Sequence, residues 1–224
     1  MTAFLQQLVN GLSLGSIYAL IALGYTMVYG IIKLINFAHG DIYMLGAYCA
    51  FIITTNCGLG FIPALLISMI FCGIVGVLIE RIAYKPLRHA TRITALITAI
   101  GVSYFLQGLA QIIFGAESQP ITLPNFGTFT LGSVKINVNT VITLVVGAVI
   151  MAGLTLFIKR TKTGRAMLAV SEDRGEAQLM GINVNTIIMI TFAIGSALAA
   201  FASLFYLMQI PSVDPSLGAM PGIK

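Results

Sequence analysis

Five apolar runs, residues 8–32, 61–79, 93–114, 141–158 and 187–208, dominate this chain, and each is about 20 residues long, the length a helix needs to cross roughly 30 Å of hydrocarbon. A sixth run, 42–54, is shorter. Inside hydrocarbon a segment must satisfy its own backbone hydrogen bonds, which a helix does and an open strand does not. The expected fold is therefore all-α: a polytopic membrane helix bundle of about six apolar segments, the second of them short or broken, in a single transmembrane domain over residues 1–224. Composition agrees. Only 8% of the residues are charged and 58% are hydrophobic, where a soluble domain carries about 25% charged residues.

A net charge of +5 would suggest nucleic acid as partner in a polar protein. Here the basic residues are few and sit between apolar runs, so nucleic acid is excluded and lipid is the expected surrounding. Arg81, Lys85, Arg88 and Arg92 outnumber Glu80 after the third run, and Lys159, Arg160, Lys162, Arg165 and Arg174 outnumber Glu172, Asp173 and Glu176 after the fifth. Both connections are expected on the cytoplasmic side. The stretch 115–139 carries only Glu117 and Lys135 as charges and is rich in Pro, Gly, Thr and Asn, which predicts a small hairpin on the opposite side. Counting crossings back from there places Met1 outside too, provided that 42–54 crosses. Residues 1–8 lack the basic start of a secretory signal, so the first run is expected to stay. Cys49, Cys57 and Cys72 have no metal-ligand spacing and read as small hydrophobes. Small residues four apart (Gly11 and Gly15, Cys72 and Gly76, Ala148 and Ala152, Ala193 and Ala197) predict close helix packing.

Polar residues interrupt the first apolar stretch at Leu34-Ile35-Asn36-Phe37-Ala38-His39-Gly40-Asp41. A carboxylate at the centre of a membrane helix costs roughly 2.5 to 3.5 kcal/mol on insertion scales, so Asp41 needs a polar cavity or a partner. Lys33, Asn36, His39 and a backbone amide are the candidates. The expectation is a helix broken near Gly40 and facing the bundle interior, with Gly40 supplying a positive φ or a close approach and Asn36 and Asp41 satisfying the freed amides. His39 reads as hydrogen-bonded structure before substrate contact. An ordinary turn in water is the rival reading. The second polar stretch, 161–185, predicts a short amphipathic helix opening near Thr163 and stopping at Gly181. No phosphate-cradling Gly-x-x-x-x-Gly-Lys-Ser/Thr loop and no His-Glu-x-x-His pattern occurs, and His89 reads as surface. Neither a cofactor nor a catalytic residue is expected.

Residues 11–30 (GLSLGSIYALIALGYTMVYG), 35–41 (INFAHGD) and 44–48 (MLGAY) together resemble the N-terminal signature of the branched-chain amino-acid ABC transporter permeases; urea and short-amide permeases carry a related patch. The resemblance implies a permease subunit of the bacterial cytoplasmic (inner) membrane. Its implied partners are ATP-binding subunits, a second homologous permease and a periplasmic substrate-binding protein. On the character of the residues themselves, Asn36, His39, Gly40 and Asp41 read as pathway-forming before substrate-binding. Ala177-Gln178-Leu179-Met180-Gly181-Ile182-Asn183 resembles the Ala-x-x-x-Gly-Ile core of the segment that seats in the ATPase, which marks Glu172, Asp173, Glu176, Ala177 and Gly181 as coupling residues. Glu176 stands one residue too close to Gly181 for the wider Glu-Ala-Ala-x-x-x-Gly form. The family continues past 211–224 into at least one more apolar segment, so the chain is expected to be incomplete at its C-terminus. The rivals are a permease for urea or short amides, an ATP-independent channel or carrier using Asp41 and His39 as a proton relay, and an inactive structural relic.

Overall fold

A computed structural model describes residues 2–33, 36–87, 90–124, 127–131 and 134–219, with backbone alone at 2, 3, 5, 92, 130, 131, 134 and 135. The order is α1 (Thr2–Ile32), α2 (Ala38–Thr55), α3 (Phe61–Ile79) running on through a π turn (Glu80–Tyr84), α4 (Arg92–Phe114), β1 (Gln119–Pro120), β2 (Thr128–Leu131), β3 (Val134–Asn137), α5 (Val138–Arg160), α6 (Lys162–Glu172), α7 (Arg174–Leu179), α8 (Val184–Leu207) and β4 (Ser212–Val213). Five helical segments, Gln6–Ile32, Phe61–Tyr84, Ile93–Phe114, Val138–Arg160 and Val184–Leu207, have the length and hydropathy to cross a membrane. They fall on the five long apolar runs.

The short sixth run belongs to α2, whose 18 residues span about 27 Å because Asp41 and its polar neighbours are themselves helical. Ile42, Tyr43, Met44, Ala47 and Ala50 are fully buried. The enclosure comes from α3, α4 and α8. Helix α8 is the axis on which α1, α2 and α3 pack. At the α2–α8 crossing a Cβ on Gly46 would lie 2.8 Å from the Cα of Ala200, so the two backbones meet where no side chain fits.

Of the small-residue pairs, Cys72 and Gly76 are buried, Gly76 against Ser196 of α8. Ala193 and Ala197 are half-buried, but Gly11, Gly15, Ala148 and Ala152 are exposed. Spacing alone did not separate the two kinds. Outward faces carry Ile62, Leu66, Ile70 and Ile74 on α3 and Ile93, Ile97, Phe105 and Ile112 on α4. So many exposed aliphatic side chains suit a lipid surround and not water.

Helix α5 buries only Asn139, Thr140 and Thr143. It is pinned at that end, where Ser13 Oγ bonds Thr140 Oγ1 at 2.8 Å and donates to Gln209 Oε1 at 2.5 Å, while Asn139 Nδ2 donates to the Met208 carbonyl at 3.0 Å. Beyond it lies the expected hairpin, with β2 antiparallel to β3 and Thr128 opposite Asn137. Strand β1 pairs with β4, Gln119 opposite Val213. The two basic connections share the other end of the bundle: Glu80, Arg81 and Lys85 line one cleft with Asn185, Thr186 and Met189.

Candidate functional site

Helix α1 ends because Lys33 turns left-handed, φ 57°, while its N–H still reaches the Tyr29 carbonyl at 2.7 Å. The chain resumes helical geometry at Ala38, and the His39 N–H closes the first turn on the Asn36 carbonyl at 3.1 Å. The break therefore lies before Gly40 and not at it. Gly40 sits inside α2 without a positive φ. Its backbone is approached so closely by Gly218 that a Cβ on Gly218 would overlap the Gly40 carbonyl oxygen. In this way the segment after β4 reaches the first turn of α2.

Asn36, His39 and Asp41 are 2%, 2% and 1% exposed, which overturns the turn in water. The carboxylate of Asp41 lies in the first turn of α2, where the exposed amides of a helix N-terminus favour negative charge. Of the four anticipated partners only a backbone amide, that of Asp41 itself, is near enough to interact, and the side-chain donors come from α4 and not from Lys33, Asn36 or His39. Gln107 Nε2 on α4 donates to Asp41 Oδ1 at 2.8 Å and lies 3.2 Å from Ser103 Oγ. Two polar residues four apart in an apolar run were the available signal, since that spacing puts both on one helix face. Asn36 Oδ1 accepts from the Tyr84 hydroxyl at 2.7 Å. Tyr84 comes from the π turn, where Lys85 N–H bonds the Glu80 carbonyl five residues back.

His39 packs edge-on to Tyr25, ring centroids 5.8 Å apart, and against Gly24. Among the described residues neither imidazole nitrogen has a hydrogen bond of normal geometry, although the Ile21 backbone is near enough to interact. Two residues apart on one helix, His39 and Asp41 do not face each other: one looks to α1, the other to α4. A direct proton relay between them has no geometry to run on. Beside Asp41 a cavity of about 270 Å³ opens between Phe37, Ser103, Gln107 and Gly218, with Ile100 and Tyr104 among its apolar walls.

The second polar stretch forms two helices where one was expected. Thr161, not Thr163, caps the first, accepting from the Gly164 N–H at 2.9 Å. Asp173 then breaks the run: extended at φ −145°, ψ 122°, it accepts from the N–H groups of Gly175 (2.6 Å) and Glu176 (3.0 Å) and so caps α7. Those amides, Glu176 first and Gly175 next, hold the Asp173 carboxyl below its usual range. Gly181 ends α7 at φ 81°, as a left-handed C-terminal stop.

Glu172, Asp173, Glu176 and Gly181 are exposed, but Ala177 is 3% exposed and packs into this chain's own core. It is not a surface a partner could meet. The exposed groups that sequence reasoning passed over are Leu179 and Met180, 89% and 83% exposed beside an open groove lined by Arg174, Gln178 and Asn183. Arg174 also donates from Nη2 to the Ile32 carbonyl, tying α7 to the last turn of α1.

Gly11-Leu12-Ser13-Leu14-Gly15 has the spacing of a hydrolase nucleophile turn but lies within a helix, its serine bonded to Thr140 and Gln209, so it carries no nucleophile. His89 lies outside the described residues, and among those described no cluster could hold a metal.

The sequence model of one family, described as branched-chain amino acid transport system / permease component, matches residues 7–224. The high-affinity branched-chain amino acid transport system permease protein BraD of Pseudomonas aeruginosa is 46% identical over 99% of this chain and 76% of its own length. LivH, the permease protein of the same name from Salmonella typhimurium, is 41% identical and that of Escherichia coli 40%, with the same coverage. No solved structure matches the chain significantly.

Proposed function

The chain belongs to the branched-chain amino acid transport permeases and is a multi-pass membrane protein, and from that premise we propose that it carries branched-chain amino acids across the bacterial cytoplasmic membrane as one permease subunit of an ABC importer. A zwitterion with an aliphatic side chain needs a path of mainly apolar walls with a few polar groups. A helix break inside the bundle supplies these as freed amides and carbonyls. The first-turn amides of α2, with Asn36, Asp41 and Gln107, are such groups, and Gly40 leaves its backbone open to approach. His39 holds α2 against α1.

The observation that carries the reading beyond its family premise is the Arg174 bond to Ile32, which joins the segment expected to meet the ATPase directly to the break. ATP-binding subunits engage α6 and α7 through Leu179, Met180 and the carboxylates of Glu172 and Glu176, while Asp173 and Gly181 shape the helix that presents them. A second permease of the same family completes the pathway, and a periplasmic binding protein delivers the substrate.

The test is reconstitution with those partners in proteoliposomes. Leucine uptake that requires ATP and the binding protein is the expected result; uptake without ATP would establish the carrier, and uptake of urea in place of leucine the related permease. Leu179→Asp should abolish association with the ATP-binding subunits while the protein remains in the membrane. Sidedness follows from labelling of intact cells, on a background lacking Cys49, Cys57 and Cys72: an impermeant maleimide should modify Ser118→Cys and spare Thr161→Cys.

A further inference from the structure

A second, smaller cavity lies away from the α1–α2 break. It is about 170 Å³ in volume, partly open, and lined by α1, α2, α8 and the segment after β4. A cavity of about 150 Å³ is enough to take a benzene-sized group in a protein interior. One side of the wall is aliphatic, from Ile17, Ile21 and Leu217; the other carries Tyr43, Tyr206 and Asp214.

Two of these polar groups have capacity to spare. Tyr43 is fully buried and its hydroxyl has no hydrogen-bond partner among the described residues, a state that costs free energy unless water or a ligand enters. Asp214 uses Oδ1 to accept from the Ser216 N–H at 2.9 Å and hydroxyl at 2.5 Å, which fixes the carboxylate in place, and no cation among the described residues pairs with it. Tyr206 meets Tyr43 edge-on, centroids 6.0 Å apart, and holds that ring upright.

A half-exposed carboxylate with no cation partner among the described residues, a buried hydroxyl left without a bond and an aliphatic wall around one small space have the complementarity of a zwitterion with an aliphatic side chain. We propose that this cavity is a subsite for the transported amino acid, in which Asp214 receives the ammonium group, the Tyr43 hydroxyl donates to the carboxylate, and Ile17, Ile21 and Leu217 hold the side chain. The assignment of an amino acid as ligand rests on the transport reading above. Asp214 sits just after β4, so the subsite lies between the outer hairpin end and the Gly218 contact on α2, ahead of the break on an inward path.

The test uses the purified complete transporter without binding protein, so that the permease meets each probe directly. Leu14→Cys at the cavity edge, with Cys49, Cys57 and Cys72 replaced, reports occupancy through its rate of maleimide labelling. Leucine should slow the labelling; isoamylamine, which keeps the ammonium but lacks the carboxylate, should slow it too, and isocaproate, which lacks the ammonium, should not. Asp214→Asn should raise the concentration needed for protection by leucine or isoamylamine about tenfold or more, as loss of a charge-assisted bond would. Tyr43→Phe should weaken protection by leucine and leave that by isoamylamine as it was. Protection by isocaproate equal to leucine, protection unaltered by Asp214→Asn, or no protection in a preparation that performs ATP-driven leucine uptake would overturn the subsite. Failure of that preparation to take up leucine at all, once the binding protein is added, would overturn the transport reading and this inference with it.

Discussion

The two polar interruptions of this apolar chain, residues 34–41 and 161–185, are announced in the sequence by the same sign and end in opposite environments. In the first, Asn36, His39 and Asp41 are buried, and two of them are paired with residues far along the chain, Tyr84 and Gln107. In the second, the carboxylates of Glu172, Asp173 and Glu176 stay exposed, and the bonds that shape it are local caps at Thr161 and Asp173. A polar group survives burial where a donor on another helix meets it, and otherwise goes to water. The regions nonetheless touch, through Arg174 and the Ile32 carbonyl.

The contrast predicts a graded response to substitution. The largest effect should come where backbones meet in the buried region: Gly46→Val forces its side chain into Ala200 and Ser203, costing about 3 kcal/mol, at the upper end of overpacking effects, and lowering the thermal midpoint of the solubilised protein. Gly15→Ala, with no atom near its Cβ, should stay within about 0.5 kcal/mol and serves as the reference. An equal response at both positions would dissolve the comparison.

Next comes the buried polar pair. Asp41→Leu removes one acceptor of the Gln107 amide, leaving it Ser103 alone, and should cost about 1 to 3 kcal/mol, whereas Asp41→Asn keeps an acceptor and should cost less. If the break also lines the pathway, Asp41→Asn should still reduce uptake out of proportion to its stability loss.

In the exposed stretch the effects should be smaller and local. Gly181→Ala places a side chain at φ 81° and should cost about 1 to 2 kcal/mol, seen as faster hydrogen exchange over 174–182 and none over α2. The same strain means that a bulky residue at Gly181 distorts α7 before any partner is met, so Leu179 and Met180 are the cleaner probes of docking.

The smallest effect is the pH response of the α7 cap. Because the folded Asp173 carboxyl is held below its unfolded value, its contribution is fully present above the ordinary carboxylate range and is lost as pH falls through the lowered value. Protection of the Gly175 and Glu176 amides should follow that course, and Asp173→Asn, which caps without a charge, should make it independent of pH.

Much of this was legible in residue order alone, because spanning length, caps and stops are local properties. The length of an apolar run fixes how far a helix reaches, so the five long helices fall where hydropathy puts them, and the hairpin over 128–137 and the stop at Gly181 follow from turn-forming residues. The buried polar cluster was legible as a place but not as an arrangement. Asn36, His39 and Asp41 were identifiable because polar groups in apolar sequence need a reason. That Gln107 answers Asp41, that the backbone breaks at Lys33 and leaves Gly40 helical, and that Ala177 faces inward were decided only when helices distant in sequence packed around α8. A hydrogen-bond partner or a buried face is a property of neighbours, and no local pattern specifies which neighbour will be there.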